Sequence, residues 1–434
     1  MTEKRQLIAL AVPLLAGNLL QQLYNTLDSL IIGRFLGTDA FAAAGVAGTL
    51  MNLFIFVLNG FSTGLCVPFA QFYGTGNYRR FRQEMFIAVS LGSLLTFALS
   101  GLFIVLLLPL IRLIRTPVSL TAYVSSYLTI IIGGMITTYL YNIFSSILRA
   151  AGDTKAALYF LVISTIINAA LDYIFVAICG LGIAGAAWAT VIAQMISAIC
   201  CFIYLRTFYR FLICGRPEIG LHKDLLKNTL RFGMASAFQE SNLYIGKLLI
   251  QGAVNTLGTA GIAAYAATMR IEGFANSFAD SGGLAVSVFT AQNYGRGDQV
   301  RVREGLRQGL FLHMILGSTI AVILFFTAEK GTAAFLSSGT PLMLSYGASY
   351  LKIISLFYVL CFIGNINVGY FRGLGLLHVP VIGTIANIVT RVIFSYLAVA
   401  RYGLSAIALA TGLGWVVIIA YQLMIHRRYN YLKL

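Results

Sequence analysis

The sequence predicts an all-α integral membrane protein of about twelve transmembrane helices, built as two six-helix bundles related by a pseudo-twofold axis along the membrane normal. Three observations carry this. The chain is 59% hydrophobic and only 10% charged. Its apolar runs are long, unalternating and in part charge-free, as in Ile87–Leu110 and Ala156–Leu171, which suits helices of about 20 residues and excludes a barrel. And the chain is written twice. AQFYGTGNYRRFR at 70–82 returns as AQNYGRGDQVRVR at 291–303, an offset of 221. Gly37/Gly258, Gly182/Gly403 and Thr190/Thr411 keep that offset, and Arg149 and Gly152 reach Arg372 and Gly375 after a shift of two. Duplicated membrane halves are the sequence form of a two-lobed transporter with its pathway between the lobes.

In chain order the spans fall near 7–33, 46–71, 85–111, 120–147, 157–178, 184–205, 229–256, 261–290, 306–327, 343–369, 379–399 and 404–425. MTEKR leads straight into a full-length first helix, so no cleavable signal is expected. The lobes are 1–206 and 229–434, with a basic linker at 207–228. A formal charge of +16 would suggest nucleic acid in a soluble protein, but the cations follow the loops. Twenty-one Lys and Arg fall on one side, from Lys4 and Arg5 through Arg79, Arg80 and Arg82 to Lys433; the other side holds Arg34, Arg112, Arg115, Lys330 and Arg401. The positive-inside rule then places both termini and the linker in the cytoplasm. The partner is the bilayer, and no nucleic acid is expected.

Motifs for soluble chemistry are formal only. GFSTG at 60–64 matches a serine-hydrolase elbow, but it lies inside an apolar helix rather than on a strand-to-helix turn. An intramembrane serine protease is the one enzyme it permits. GLGIAG at 180–185 sits in a turn without the acid a dinucleotide site needs. No Walker A or H-E-x-x-H sequence occurs, so no cofactor is expected. The six cysteines match no zinc or disulfide spacing.

The chemistry is expected in the first half. Asn18, Gln21, Asn25 and Asp28 recur at three- and four-residue steps on helix 1, with Tyr24 one turn before Asp28. Helix 5 carries Asn168 and Asp172 one turn apart, and helix 6 carries Thr190 and Gln194. At about 1.5 Å per residue, Asn168 and Asp172 lie roughly 17 and 23 Å from the cytoplasmic start of helix 5, and Thr190 roughly 10 Å below the outer surface. Asp28, Asn168, Asp172 and Thr190 can therefore share one level. Intramembrane carboxylates cost about 2.5–3.5 kcal/mol each on insertion scales and mark ion pathways. Two roles fit. Desolvation favours a neutral carboxyl, which makes a proton carrier; carboxylate, amide and hydroxyl oxygens together suit a hard cation such as sodium. The second copy lacks the set: Asp28 maps to Leu249, Asn168 to Arg391 and Asp172 to Ser395. Its own charges are Glu240 and Lys247 on helix 7, which can pair with each other or, for Glu240, with Arg391, and Arg270, Glu272 and Asp280 on helix 8.

The helix 1 pattern PLLAGNLLQQLYNTLDSLIIGRFLG, the paired AQ-x-YG-x-G loops and RAAGDTK at 149–155 resemble the multidrug and toxic compound extrusion (MATE) family, most closely its bacterial DinF-like branch, over essentially the whole chain. The resemblance implies a proton- or sodium-driven exporter of amphipathic, often cationic, small molecules in the bacterial cytoplasmic membrane, working as a monomer. It implies a cation or proton site at Asp28, Asn168, Asp172 and Thr190, with Tyr24, Asn25, Asn142 and Gln194 in the same cavity and bending of helix 1 at Pro13. Another branch of the family uses acids on helices 7 and 10; here helix 10 has Asn365 and Asn367 instead. The wider superfamily contains flippases for lipid-linked precursors, which Lys247 and Arg391 would suit.

Overall fold

The structure, a computed structural model, describes residues 2–114, 116–336 and 339–431, without the side chains of 25–30, 38 and 429–431. Its helices are α1 (Glu3–Thr75), α2 (Tyr78–Leu113), α3 (Val118–Gly133), α4 (Met135–Ala150), α5 (Thr154–Asp172), α6 (Gly182–Phe208), α7 (Lys223–Asn255), α8 (Gly258–Gly295), α9 (Gln299–Phe335), α10 (Pro341–Ser355), α11 (Tyr358–Gly373), α12 (His378–Tyr402) and α13 (Leu404–Tyr431). Among the described residues there is no strand, and a helix covers every expected span. α1 holds the first two spans, divided at Gly37, whose φ of 83° takes the backbone out of the helix. Spans 4 and 10 are each broken: α3 meets α4 at 45°, and α10 meets α11 at 55°.

The repeat explains which glycines are duplicated. Gly37 and Gly258, Gly76 and Gly297, Gly152 and Gly375, and Gly182 and Gly403 all have positive φ, between 57° and 92°. Each marks a turn where a Cβ would be strained, so both copies require glycine. The caps repeat as well: Asn77 accepts from the Arg80 amide at the start of α2, and Asp298 accepts from the Arg301 amide at the start of α9. The broken spans repeat by exchange of volume. At the first break a Cβ on Gly134 would lie 2.4 Å from Val191 of α6. At the second the bulky residue is Phe357, and the glycine is Gly412 of α13, whose Cβ would lie 2.5 Å from that ring. One close contact is kept with its large and small partners swapped.

GFSTG is a packing motif. It lies within α1, where a Cβ on Gly60 would meet the Ala237 backbone at 2.7 Å and one on Gly64 the Phe232 carbonyl at 2.4 Å. Small residues let α1 and α7 approach backbone to backbone, and Ser62 is 1% exposed. GLGIAG is a turn at which Gly180 and Gly182 have positive φ.

The chain forms two compact units, one of Ala16–Ala237 and one of Met1–Leu15 with Phe238–Leu434. The chain passes between them inside α1, just after Pro13, and inside α7. Pro13 is buried, and the one non-helical residue recorded within α1 is Gly37. Each exchanged segment is pinned by the same pair of positions. In the first unit Arg80 of α2 meets Asp224 of α7 at 2.7 Å. In the second Arg301 of α9 meets Glu3 of α1 at 3.4 Å and donates to Gln6 at 2.8 Å. Arg80 and Arg301, like Glu3 and Asp224, are 221 residues apart.

The segment between α6 and α7 is docked onto the first unit. Arg82 pairs with Glu218 at 2.8 Å and donates to the Phe211 carbonyl at 2.9 Å, while Glu218 also accepts from the Gly215 amide. Burial pushes the Glu218 carboxyl up, but the Arg82 and Gly215 hydrogen bonds and the Arg82 charge outweigh it and hold the group below its ordinary range. A depressed carboxyl stabilises docking above the unfolded pKa and stops doing so as pH falls through the folded one. Amide exchange over residues 209–219, corrected for the intrinsic effect of pH, should therefore accelerate on acidification. In Arg82→Ala it should already be about fivefold faster at neutral pH, for a pair worth about 1 kcal/mol, and respond less to acid. Exchange unchanged by the substitution would remove Arg82 as the anchor.

Candidate coupling site

The site is assembled by the packing of α5 on α6 in the first unit. Asn168 and Asp172 project from one face of α5, and both are buried, Asp172 completely. Asn168 Nδ2 donates to Thr190 Oγ1 of α6 at 3.4 Å, a long contact that leaves both groups room to turn toward a third. One turn further along α6, Gln194 Oε1 is buried and makes no hydrogen bond among the described residues. The amide, the hydroxyl and the carboxylate expected at one depth are thus placed on adjoining helices. Asp28 and Asn25 lie outside the residues whose side chains are described.

Immediately after Asp172 the helix widens. Tyr173–Ile178 is π-helical, with Cys179 N donating to Ile174 O at 2.8 Å. A π turn breaks the i→i−4 register and is found often at functional sites. Nothing in hydropathy or residue type signals it. Tyr24 is buried on α1. Asn142 of α4 donates to Asn59 of α1 at 2.7 Å; Asn59 is a polar partner that sequence reading missed, because a lone amide in an apolar run has no periodic signature.

The second unit arranges its charges differently from the expected pairs. Among the described residues neither Glu240–Lys247 nor Glu240–Arg391 is an ion pair; the salt bridges there are Arg301–Glu3, Arg307–Glu304 and Lys352–Glu329. The cause is placement. Glu240 lies within electrostatic reach of Asp280 rather than against a base, and Lys247 and Arg391 lie within reach of Glu272. Glu272 is buried and its Oε1 has no hydrogen bond among the described residues, whereas Lys247 and Asp280 are exposed. Asn365 and Asn367 are engaged within the fold: Asn365 donates to the Cys361 carbonyl at 3.2 Å, and Asn367 Oδ1 meets His426 Nε2 at 3.0 Å. A buried chain that sequence reading did not anticipate runs from Arg372 to Gln239 (2.9 Å) and from Gln239 to Thr384 (3.2 Å), tying α11, α7 and α12 together.

A duplicated, almost wholly helical chain with acids and amides buried inside its spans is the build of a polytopic membrane transporter. The comparisons with known proteins agree. The sequence model of the MatE family matches twice, at residues 13–174 and 235–397, once in each copy. The chain belongs to the MatE family of multidrug efflux transporters and is not an enzyme. It is 29% identical to the probable multidrug resistance protein YoeA of Bacillus subtilis over 84% of this chain and 79% of that one. It is 28% identical to YpnP of the same organism, over 95% and 92%. Among solved structures it resembles an outward-facing multidrug resistance MATE family transporter of the MOP superfamily, with a TM-score of 0.90 and 21% identity over 100% of this chain and 97% of that one. A second is a MOP superfamily transporter from Pyrococcus furiosus with a binding pocket of reversed polarity, at a TM-score of 0.89 and 21% identity over the same shares. At that identity the likeness concerns the fold.

Proposed function

We propose that this protein is a cation-coupled antiporter, driven by protons or sodium, that exports amphipathic and often cationic small molecules by alternating access. The observation that carries the reading is a fully buried Asp172 one turn from Asn168, with Asn168 hydrogen-bonded to Thr190 of the neighbouring helix. Asp28 completes the site from helix 1. Tyr24, Asn25, Asn142 and Gln194 border it, and Pro13 lies where helix 1 bends during the cycle. The functional lobes are 1–206 and 229–434, joined by the cytoplasmic linker 207–228, with both termini in the cytoplasm of a bacterium, in the DinF-like manner. The names of YoeA and YpnP support small-molecule efflux over transport of a lipid-linked precursor. No cofactor beyond the coupling ion takes part, and one chain suffices.

The test is substrate efflux from proteoliposomes under separately imposed proton and sodium gradients. Proton coupling gives efflux that follows the pH gradient and collapses with a protonophore. Sodium coupling gives efflux that follows the sodium gradient, together with thermal stabilisation by sodium. Efflux indifferent to both gradients overturns the proposal.

A further inference from the structure

One buried acid has no part in the site above. Glu84, in the second turn of α2, is 0% exposed. Its Oε1 accepts a hydrogen bond of 2.7 Å from the Thr229 hydroxyl of α7, itself fully buried, and its Oε2 is buried with no hydrogen-bond partner among the described residues. Both residues belong to the first compact unit, in which the opening turns of α7 lie on α2.

The surroundings give an ionised Glu84 little support. On its own helix Arg80 is engaged by Asp224 at 2.7 Å and Arg82 by Glu218 at 2.8 Å. From α7 the charge within electrostatic reach is Asp224, of the same sign, while Lys223, Lys227 and Arg231 of its opening turns, and Arg210 and Arg216 of the segment packed on α2, are exposed. The neighbouring α3 carries no charged residue, α4 carries only Arg149, which donates to Ser146, and α1 from 40 to 75 carries none. A buried carboxylate with one hydroxyl donor and a like charge nearby costs far more than the neutral carboxylic acid does.

The repeat separates this acid from the needs of the fold. The exchanged segment of the second unit is pinned by Arg301–Glu3, the counterpart of Arg80–Asp224. Yet the positions equivalent to Glu84 and Thr229 are Gly305 and Ile8. The same docking is therefore made once with a buried carboxyl at this position and once without.

From this geometry we infer that Glu84 is a second proton-binding site, near the cytoplasmic end of α2, which takes up one proton when the start of α7 docks on α2 and releases it to water when that segment lifts. Docked and protonated, Glu84 keeps the Thr229 hydrogen bond and buries no charge. Lifted, the carboxyl is hydrated and ionises. The first α7 turns are thus held more tightly as the cytoplasmic pH falls, while the opening turns of α1 in the second unit carry no such dependence at this position.

The test is amide exchange over residues 223–237 in the full-length protein, corrected for the intrinsic effect of pH, from about pH 6 to about pH 9. In the wild type, protection should fall by about tenfold or more as pH rises, the sign expected of a group more readily protonated in the docked state. Glu84→Gln keeps the shape and the acceptor for Thr229 without the titration, so its protection should stay flat. Glu84→Met gives the same reading if the glutamine variant does not accumulate. His222 immediately precedes α7, so His222→Gln serves as the control and should keep the wild-type slope. A flat wild-type profile, or a slope that survives in Glu84→Gln and Glu84→Met or is lost in His222→Gln, overturns the inference. None of these outcomes depends on efflux, so failure here is distinguishable from failure of the antiport reading.

Discussion

Asp172→Asn should reduce gradient-driven efflux to the background of empty proteoliposomes while leaving the purified protein as thermally stable as the wild type, or more so. The two halves of this expectation come from the same feature. Asp172 is fully buried at the end of α5, where the helix passes into a π turn. Asparagine has the same shape and carries no charge, so the desolvation cost of a carboxylate disappears. A residue kept for stability alone would lose nothing by that change. A residue kept to bind and release a cation loses its function, because the amide can neither take up a proton nor neutralise sodium. Stability gained where activity is lost is the usual mark of a functional position. Asn168→Ala and Thr190→Val should give smaller losses, roughly 10- to 100-fold in efflux rate, as expected when neutral ligands or their partners are removed. The measurement is initial efflux rate against melting temperature for the three variants. Wild-type efflux in Asp172→Asn would falsify the assignment.

What the sequence disclosed, and what it hid, follows from the kind of signal each feature leaves. Hydropathy marks apolar spans, and among the described residues eight helices are long and apolar enough to be recognised singly, ten with each bent pair counted as one. α7 and α8 are too polar to be found that way, with Arg231, Glu240 and Lys247 on one and Arg270, Glu272 and Asp280 on the other. They are legible through the repeat, which aligns them with the first two spans. The duplicated glycines were legible as positions and became explicable as positive φ. Asn168, Asp172 and Thr190 could be brought to one level from helical rise alone, because they sit on helices that run unbroken between them and the membrane surface. Hydrogen-bond register and inter-helix pairing were not legible. The π turn at Tyr173–Ile178 has no compositional mark, and neither does the partnership of Glu84 with Thr229, which lie 145 residues apart. The division of α1 and α7 between the two units was equally hidden, since nothing local in an unbroken helix shows where its neighbours change.

Ion coupling should belong to the first half alone, so that Glu240→Gln slows efflux by no more than a few-fold with the wild-type pH or sodium response intact, whereas Asp28→Asn removes that response. The repeat supplies the argument, and the fold sharpens it. Both copies keep the same turns, caps and broken spans. At the position of Asp172 the second copy has Ser395, also 0% exposed, and at that of Asn168 it has the half-buried Arg391. A serine therefore fills this place in the packing, and the fold does not require an acid there. A carboxylate retained in one copy against its insertion cost of about 2.5–3.5 kcal/mol needs a reason other than packing. Glu240 lacks the companions that Asp172 has: it is half-buried, it faces Asp280 electrostatically, and the asparagines of α11 are committed to Cys361 and His426. Substituting it should alter substrate range or stability before it alters coupling. The deciding measurement is the pH and sodium dependence of efflux in both variants. A response lost in Glu240→Gln and kept in Asp28→Asn would move the coupling site to the second half.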